Sequence, residues 1–433
     1  MSKNLSVLAF TVSTAAISCI YATPSLANNG FYLNGYGFES SMMGGADVAV
    51  ARDAFAATNN PAGMTQLVGQ AAELEVAAYD SMGSHTDSFG NYRKPFTNWL
   101  GGYANGAYAR HFENSSLAAG VAMVVQGGLG TTYRGLNTQF GGRDDASATF
   151  ATLKLAPAIA WEVNDQLSLG ATLGINYFGA SQELFPNTSA SPSPSLPTGF
   201  PGIRFKGASG IGLNSKWGLQ YRPAKDVTIG VTYGTQTSIP LKGGNLRINF
   251  SNPAFGGLGT VRYDNAKMTG LRLPEELAFG IAFRPTERLL VSLQDKWYNW
   301  SDAIKTLQIT ASNPRTPGAP PTVVIPSAID FVDQHVIEIG IAYDFDKNNT
   351  FLAGINHGSR PIPDNNVSPI FAPIQARFYT FGVKHKINEE WYSAVGVEAY
   401  GFQSVTYDSP IFGPRANERH TGFVVHMAVG RNW

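Results

Sequence analysis

The residue types able to do chemistry are present but scattered. Seven histidines (His85, His111, His335, His357, His385, His420 and His426) show none of the close pairings that hold a metal. There is no Gly-x-Ser-x-Gly nucleophile turn and no Gly-rich phosphate loop. A Ser/His/Asp set assembled from separate strands stays open at this level, with His426, beside Ala428, its least uninteresting member; a solvated histidine is the blander reading. The chain is read as a non-enzyme that needs no metal and no cofactor. Lys154, Glu162, Lys216, Lys296, Glu338, Lys384 and Glu398 form a second group, each in phase with small neighbours. Such charges pair across an enclosed space, although a polar channel would hold the same set. A third candidate is Asn60-Pro61-Ala62, where the proline keeps Asn60 extended.

The elements that must position these residues are strands. In 167–177, Leu167, Leu169, Ala171, Leu173, Ile175 and Tyr177 oppose Ser168, Gly170, Thr172, Gly174 and Asn176. Segments 213–221, 227–233 and 337–343 repeat the pattern. Successive side chains of a strand point to opposite faces, so one face is bulky and apolar and the other small or polar. The small face could not fill the core of a sandwich, so the bulky face points outward to lipid and the small one lines a lumen.

Composition agrees. Charged residues make up 14% of the 433-residue chain, against about 25% in soluble domains. Aromatics reach 12% and glycine 47 residues. Mean hydropathy is −0.09, and past the N-terminus no uncharged apolar run nears the roughly 20 residues of a spanning helix. The formal net charge of zero offers nothing to nucleic acid. Residues 1–27 read as a secretory signal: Lys3, then the apolar run Leu5 to Ile20, then Ser25-Leu26-Ala27 as a cleavage site. The single cysteine, Cys19, falls inside it, so the mature chain has no thiol chemistry.

Short polar turns at 113–116, 164–165, 223–226, 285–288, 346–349 and 388–390 alternate with long loops at about 80–97, 128–147, 179–209, 237–270, 301–333, 357–376 and 401–419. Six turns and seven loops join fourteen strands, with both barrel ends periplasmic. Aromatics near strand ends, such as Trp99, Tyr177, Trp297 and Trp391, suit interfacial girdles. The last strand ends on Trp433, which resembles the terminal aromatic read by the outer-membrane assembly machinery. Segment 28–69 lacks the alternation and is rich in Gly, Ala, Asn and Met, so it reads as a plug. The fold class is therefore all-β: a 14-stranded antiparallel transmembrane β-barrel (70–433) with a small N-terminal hatch (28–69) in its lumen. The expected setting is a Gram-negative outer membrane, with lipid and lipopolysaccharide as neighbours and a monomer as the functional unit.

The chain resembles the FadL/TodX family of outer-membrane transporters for long-chain fatty acids and hydrocarbons over essentially all of 28–433. Gly30-Phe31 with Leu33-Asn34, Asn60-Pro61-Ala62, Gly128-Leu129-Gly130-Thr131, Leu271-Arg272-Leu273-Pro274, Trp300-Ser301 and Pro361-Ile362-Pro363 carry the resemblance together with their order. It implies passive uptake of a hydrophobic small molecule, with lateral exit where the third strand kinks. Gly127 and Gly128 would allow that kink. Phe31 would stopper the pocket, and the Asn60 amide would bond backbone left unpaired beside the gap. For a fatty-acid carboxylate, Lys305 and Arg377 match basic positions of the family, whereas 178–183 lacks the usual cation. The pocket then suits an acid held by Lys305 or a neutral aromatic or aliphatic hydrocarbon. A general porin and a barrel lipase are the remaining alternatives, and the plug speaks against the porin.

Overall fold

The alternation closes into a ring. The computed structural model describes residues 29–50, 53–194 and 196–433; the expected signal segment 1–27, with Cys19, lies outside the described residues. The wall runs through β1 (Gln70–Thr86), β2 (Leu100–His111), β3 (Leu117–Asn137), β4 (Arg143–Asn164), β5 (Leu167–Ala190), β6 (Phe200–Ala224) and β7 (Val227–Gly234). It continues through β8 (Glu276–Thr286), β9 (Leu289–Tyr298), β10 (Gln334–Asp344), β11 (Asn349–Gly358), β12 (Arg377–Lys386), β13 (Trp391–Ser409) and β14 (Gly413–Asn432). Each strand pairs antiparallel with the next. β14 closes on β1 in an unbroken register from Ala71↔Asn432 to Thr86↔Asn417. Closure pairs the first strand with the last, as a spanning sheet requires.

The outward face is apolar as expected: Leu169, Leu173, Leu213, Trp217, Ile337, Ile339 and Ile341 are exposed to the surroundings of the barrel. The turns also fall where the sequence places them, on the end where the plug enters and where Gln70 and Trp433 bond each other.

The long loops are different. The expected loops 128–147, 179–209 and 401–419 shrink to 138–142, 191–199 and 410–412, because β3 to β6, β13 and β14 run on above the membrane. Inside 237–270 and 301–333, strands Leu241–Phe250, Gly259–Thr269, Thr306–Pro314 and Thr322–Ala328 extend the upper end of β6 sideways as a further sheet. The cause is a reversal of pattern. Above the lipid nothing rewards outward apolar side chains, so Ile203, Phe205, Leu246, Ile248, Val261, Tyr263, Leu307 and Ile309 turn inward and are buried. On β6 the change of face is made at a register shift beside Gly207, which has φ +76°. These side chains fill the upper lumen with one large apolar cluster that includes Phe31.

The plug fills the lower lumen. It holds a short helix (Phe38–Met42) and two 3-10 turns (Ala54–Ala57 and Pro61–Gln66). Proline at the first helical position and an Asn60 side chain accepting from Ala62 N start the last of these. Around the plug runs a belt of inward glycines, several directly paired across strands: Gly170↔Gly218, Gly230↔Gly280, Gly340↔Gly354 and Gly382↔Gly396. A Cβ at Gly218 would lie 2.0 Å from Asn60 Oδ1, one at Gly230 2.2 Å from Val48 O, and one at Gly354 2.3 Å from Gly44 N. The belt lets plug backbone lie directly on wall backbone.

Candidate functional site

The site is where the first plug residues meet β3. Backbone pairing of β2 with β3 runs from His111↔Ala118 to Gly106↔Met123 and then stops. On its other side β3 keeps its partner but gains a residue: Val125↔Leu153 is followed by Gly127↔Thr152, leaving Gln126 as a bulge. A bulge bends its strand and increases local twist, which carries β3 away from β2. Gly127 takes φ +154°, whereas Gly128 pairs regularly with Ala151. Higher up the wall is tied again through Thr97 N to Thr132 O (2.7 Å), Asn98 Nδ2 to Gly130 O (3.1 Å) and Thr132 N to Asn98 Oδ1 (2.7 Å). Between these ties and Met123 the two strands share no backbone bond among the described residues.

The plug covers this opening from inside. Leu33 N donates to Gln126 O (3.1 Å), the Tyr36 hydroxyl donates to the same oxygen (3.0 Å), and Tyr32 bridges to Gly127. Asn105 bonds Val125 N through Oδ1 (2.9 Å) and is itself oriented by Glu75, at 2.9 Å from its Nδ2. A Cβ at Gly127 would fall 1.9 Å from Phe31 O, so only glycine accepts the covering segment so closely.

Just above, Phe31 sits in a cage of rings, with centroids 5.8 Å from Phe150, 6.0 Å from Phe178, 6.0 Å from Trp300, 6.1 Å from Phe331 and 5.8 Å from Phe371. Several of these are edge-on contacts, the favoured arrangement of aromatic quadrupoles. Gly30 lies against Trp300, whose ring is 2.5 Å from where a Cβ would be. The Trp300 indole donates to Gln334 Oε1 at 3.2 Å.

A covered opening in a plugged fourteen-strand wall is an arrangement with known relatives. The family model described as outer membrane protein transport protein (OMPP1/FadL/TodX) matches residues 19–413. The chain belongs to this family. A long-chain fatty acid transport protein of Shigella flexneri is 26% identical over 442 residues, covering 92% of this chain and 93% of that protein. Among solved structures, the P. putida toluene transporter TodX aligns with TM-score 0.75 and 18% identity, over 93% of this chain and 99% of the other. A Pseudomonas aeruginosa FadL homologue aligns with TM-score 0.73 and 16% identity, over 93% and 99%. As a FadL/TodX-family barrel, the chain is an outer-membrane transport protein.

Not all residues singled out in the sequence meet at the site. Gly30, Phe31, Gly127 and Gly128 do. Asn60, Pro61 and Ala62 do not: Asn60 Nδ2 donates to Val48 O (2.7 Å) and to Leu219 O of β6 (3.1 Å), on another part of the wall. The expectation that Asn60 bonds backbone freed by the kink is corrected, since Leu33, Tyr36 and Asn105 take that role. Lys305 and Arg377 are exposed, and neither reaches the Phe31 cage. Among the described residues Lys305 offers only its carbonyl, to Ile329 N and Asp330 N, and Arg377 shares the outward face of β12 with Tyr379 and Phe381. His426 bonds Glu75 (2.8 Å) in the lower lumen.

The lumen charges pair largely as expected. Lys216 meets Glu276 (2.6 Å), Lys296 meets Glu338 (3.4 Å), and Lys384 reaches Glu39 of the plug (3.4 Å). Gln126 and Asn105 escaped the sequence reading. A single polar residue in an otherwise apolar and glycine-rich run, 117–130, was the available signal for Gln126. Phe150, Phe178, Phe331 and Phe371 carried no such signal, because inward and outward phenylalanines look alike in sequence.

Proposed function

We propose that this barrel takes up long-chain fatty acids or similarly hydrophobic small molecules and releases them sideways between β2 and β3, without energy input. The observation that carries the reading is the loss of β2–β3 pairing above Met123 at the level where the plug's first residues cover the wall. The Phe31 cage supplies an apolar stop on the way. Burial there favours such a solute by roughly 25 cal/mol per Å² of apolar surface. Displacing Phe31, Tyr32 and Leu33 from Gln126 and Gly127 would join the cage to the opening. The straight route down the lumen is blocked by plug backbone lying on the glycine belt, which also disfavours a porin for polar solutes.

The all-aromatic ring contacts of Phe31, with Lys305 and Arg377 out of reach, favour a second reading in which the ligand is a neutral aromatic or aliphatic hydrocarbon. The same route serves both. A strain lacking the gene should lose uptake of a long-chain acid or of toluene and keep uptake of small sugars. Loss of sugar uptake with hydrophobic uptake intact would overturn the proposal in favour of a porin.

A further inference from the structure

Above the apolar band the outer face of the barrel turns basic. On β6 the outward side chains climb from Trp217 through Leu213 to Ile211 and then, past the register shift at Gly207, to Lys206 and Arg204. Arg204 stands seven residues, roughly 20 Å, beyond Ile211 along the strand. It pairs directly with Arg247 of the added strand Leu241–Phe250, and Arg247 pairs with Arg262 of Gly259–Thr269. Arg315 continues the row, its backbone N bonded to Arg262 O. The alternate residues Phe205, Leu246, Ile248 and Tyr263 are buried inward, so the arginines share the outer face. A second tier stands nearer the lipid: Lys242, paired with Ser209, and Lys267, next to the partner of Leu241.

This charge is not balanced locally. Residues 179–190, 200–211, 241–250 and 259–269 carry six basic side chains and two acidic ones. Glu183 meets Lys206 (2.7 Å) and Arg204 (3.3 Å), and Asp264 meets Arg262 (2.8 Å) and Arg315 (2.6 Å). Asp145 of neighbouring β4 is taken by Arg134 (2.6 Å). Arg204 Nε is buried and still has no hydrogen bond. Arg247, in the middle of the row, is exposed, and among the described residues neither it nor Lys242 nor Lys267 has an ion-pair partner. Like charges directly opposite on neighbouring strands destabilise a sheet, so the row gains from an anion laid across it.

Directly below lies a groove of about 380 Å³ in the same outer face. It runs from Val125, beside the bulge of β3, past Leu153, Ala151, Gly179 and Tyr177 to Gly207–Ser209. Its floor is low because Ala151 pairs with Gly179 and Gly179 with Ser209; a Cβ at Gly179 would touch only the Tyr177 ring, at 3.9 Å. Between groove and arginines, Gly207 and Gly243 leave open space, with nothing within 4 Å of where a Cβ would be.

We propose that this face is a seat for lipopolysaccharide, with its phosphate groups on the arginine row and an acyl chain in the groove. Charge complementarity selects an anion, and guanidinium groups bind phosphate bidentately. The four arginines span about 14 Å across their strands, room for more than one phosphate. A soluble anion would leave the groove unused, and a lipid with a single phosphate would engage one part of the row only. The seat does not depend on which solute the barrel carries. It lays a lipid chain against Val125, at the outer rim of the opening.

The test titrates the purified full-length barrel with lipopolysaccharide that has a phosphorylated core and with the same material after phosphatase treatment. The native protein should bind the phosphorylated form about tenfold or more tighter, as charge-assisted contacts to several arginines imply. Arg247→Glu, which breaks no ion pair, should abolish that preference in a barrel whose heat-modifiable migration is unchanged, and Arg247→Lys should retain part of it. Gly179→Leu, which fills the groove, should weaken intact lipopolysaccharide and spare its deacylated, phosphorylated oligosaccharide. Equal binding of the two native forms, or a preference that survives Arg247→Glu, would overturn the seat. So would full displacement by inorganic phosphate, which would mean a plain anion site, or equal competition by phosphatidylglycerol vesicles, which would mean a surface for any acidic lipid. Unchanged binding of intact lipopolysaccharide by Gly179→Leu would overturn the placement of the acyl chain.

Discussion

Gly127 is the residue on which the site turns. Its φ of +154° and the 1.9 Å approach that a Cβ would make to Phe31 O are two separate demands for glycine. Gly127→Ala should strain the backbone and push the Phe31–Leu33 segment off β3, at a cost of about 1–3 kcal/mol. With Phe31 loosened in its cage, the initial uptake rate of the transported solute should rise and its affinity should fall, at unchanged surface level. A slower rate in a folded barrel would mean that the segment guides the ligand instead of stoppering it. Asn60 plays a different part. It caps the turn Pro61–Gln66 and clasps Val48 and Leu219, so Asn60→Ala should destabilise the plug by about 0.5–2 kcal/mol. Protease sensitivity of the plug reads this directly, and the barrel's own heat resistance should not change. Equal resistance of mutant and native plugs would show the clasp to be dispensable.

At the scale of elements, β3 does two jobs along its length. From Leu117 to Met123 it is an ordinary wall strand between β2 and β4; beyond Gln126 its only ladder partner among the described residues is β4, with Thr132 and Gly130 tied to Thr97 and Asn98 ahead of β2. The sequence showed where the first part ends, because the alternation gives way to glycines at 127–128. It did not show that Gln126 is the extra residue, since a bulge is defined by its partner strand and not by its own pattern. The Phe31 cage was hidden for a related reason: its rings come from β4, β5 and the segments around Trp300, Phe331 and Phe371. Strand count, turn positions and the plug were legible because they rest on local periodicity. The extended outer strands were missed because the apolar face reverses once lipid no longer touches it. Removing Gln126 by deletion should let Val125 and Gly127 follow each other in regular register opposite Leu153 and Thr152. The straightened strand can then pair with β2 above Met123. The expected outcome is a folded barrel, judged by heat-modifiable migration, with uptake reduced to background. Full uptake through the straightened wall would exclude this opening as the exit.

The whole molecule is two bodies fitted with little freedom between them. Plug and wall are joined by buried bonds around much of the circumference: Phe38 N to Glu73, Val48 N to Gln294, Asn356 Nδ2 to Gly44 O, Thr380 to Met42 O and Thr172 to Ala57 O. The inward glycines bring backbone to backbone between them. Expelling the plug would expose these groups together, a far larger cost than lifting the Phe31–Leu33 segment, which is held to β3 by a few bonds. Transport by the route proposed here therefore needs a moving segment and a stationary plug. The two motions can be separated by a cross-link. Thr65 Oγ1 and Ser168 Oγ lie 2.8 Å apart, joining the Pro61–Gln66 turn to β5 on a part of the wall remote from the opening. The single cysteine of the sequence, Cys19, lies in the expected signal segment, so Thr65→Cys with Ser168→Cys gives one defined pair. Oxidation should tie plug to wall and leave the uptake rate as it was, with reduction making no difference. If the oxidised barrel stops transporting and reduction restores it, the plug as a whole has to move, and the ligand passes down the lumen rather than out through the wall.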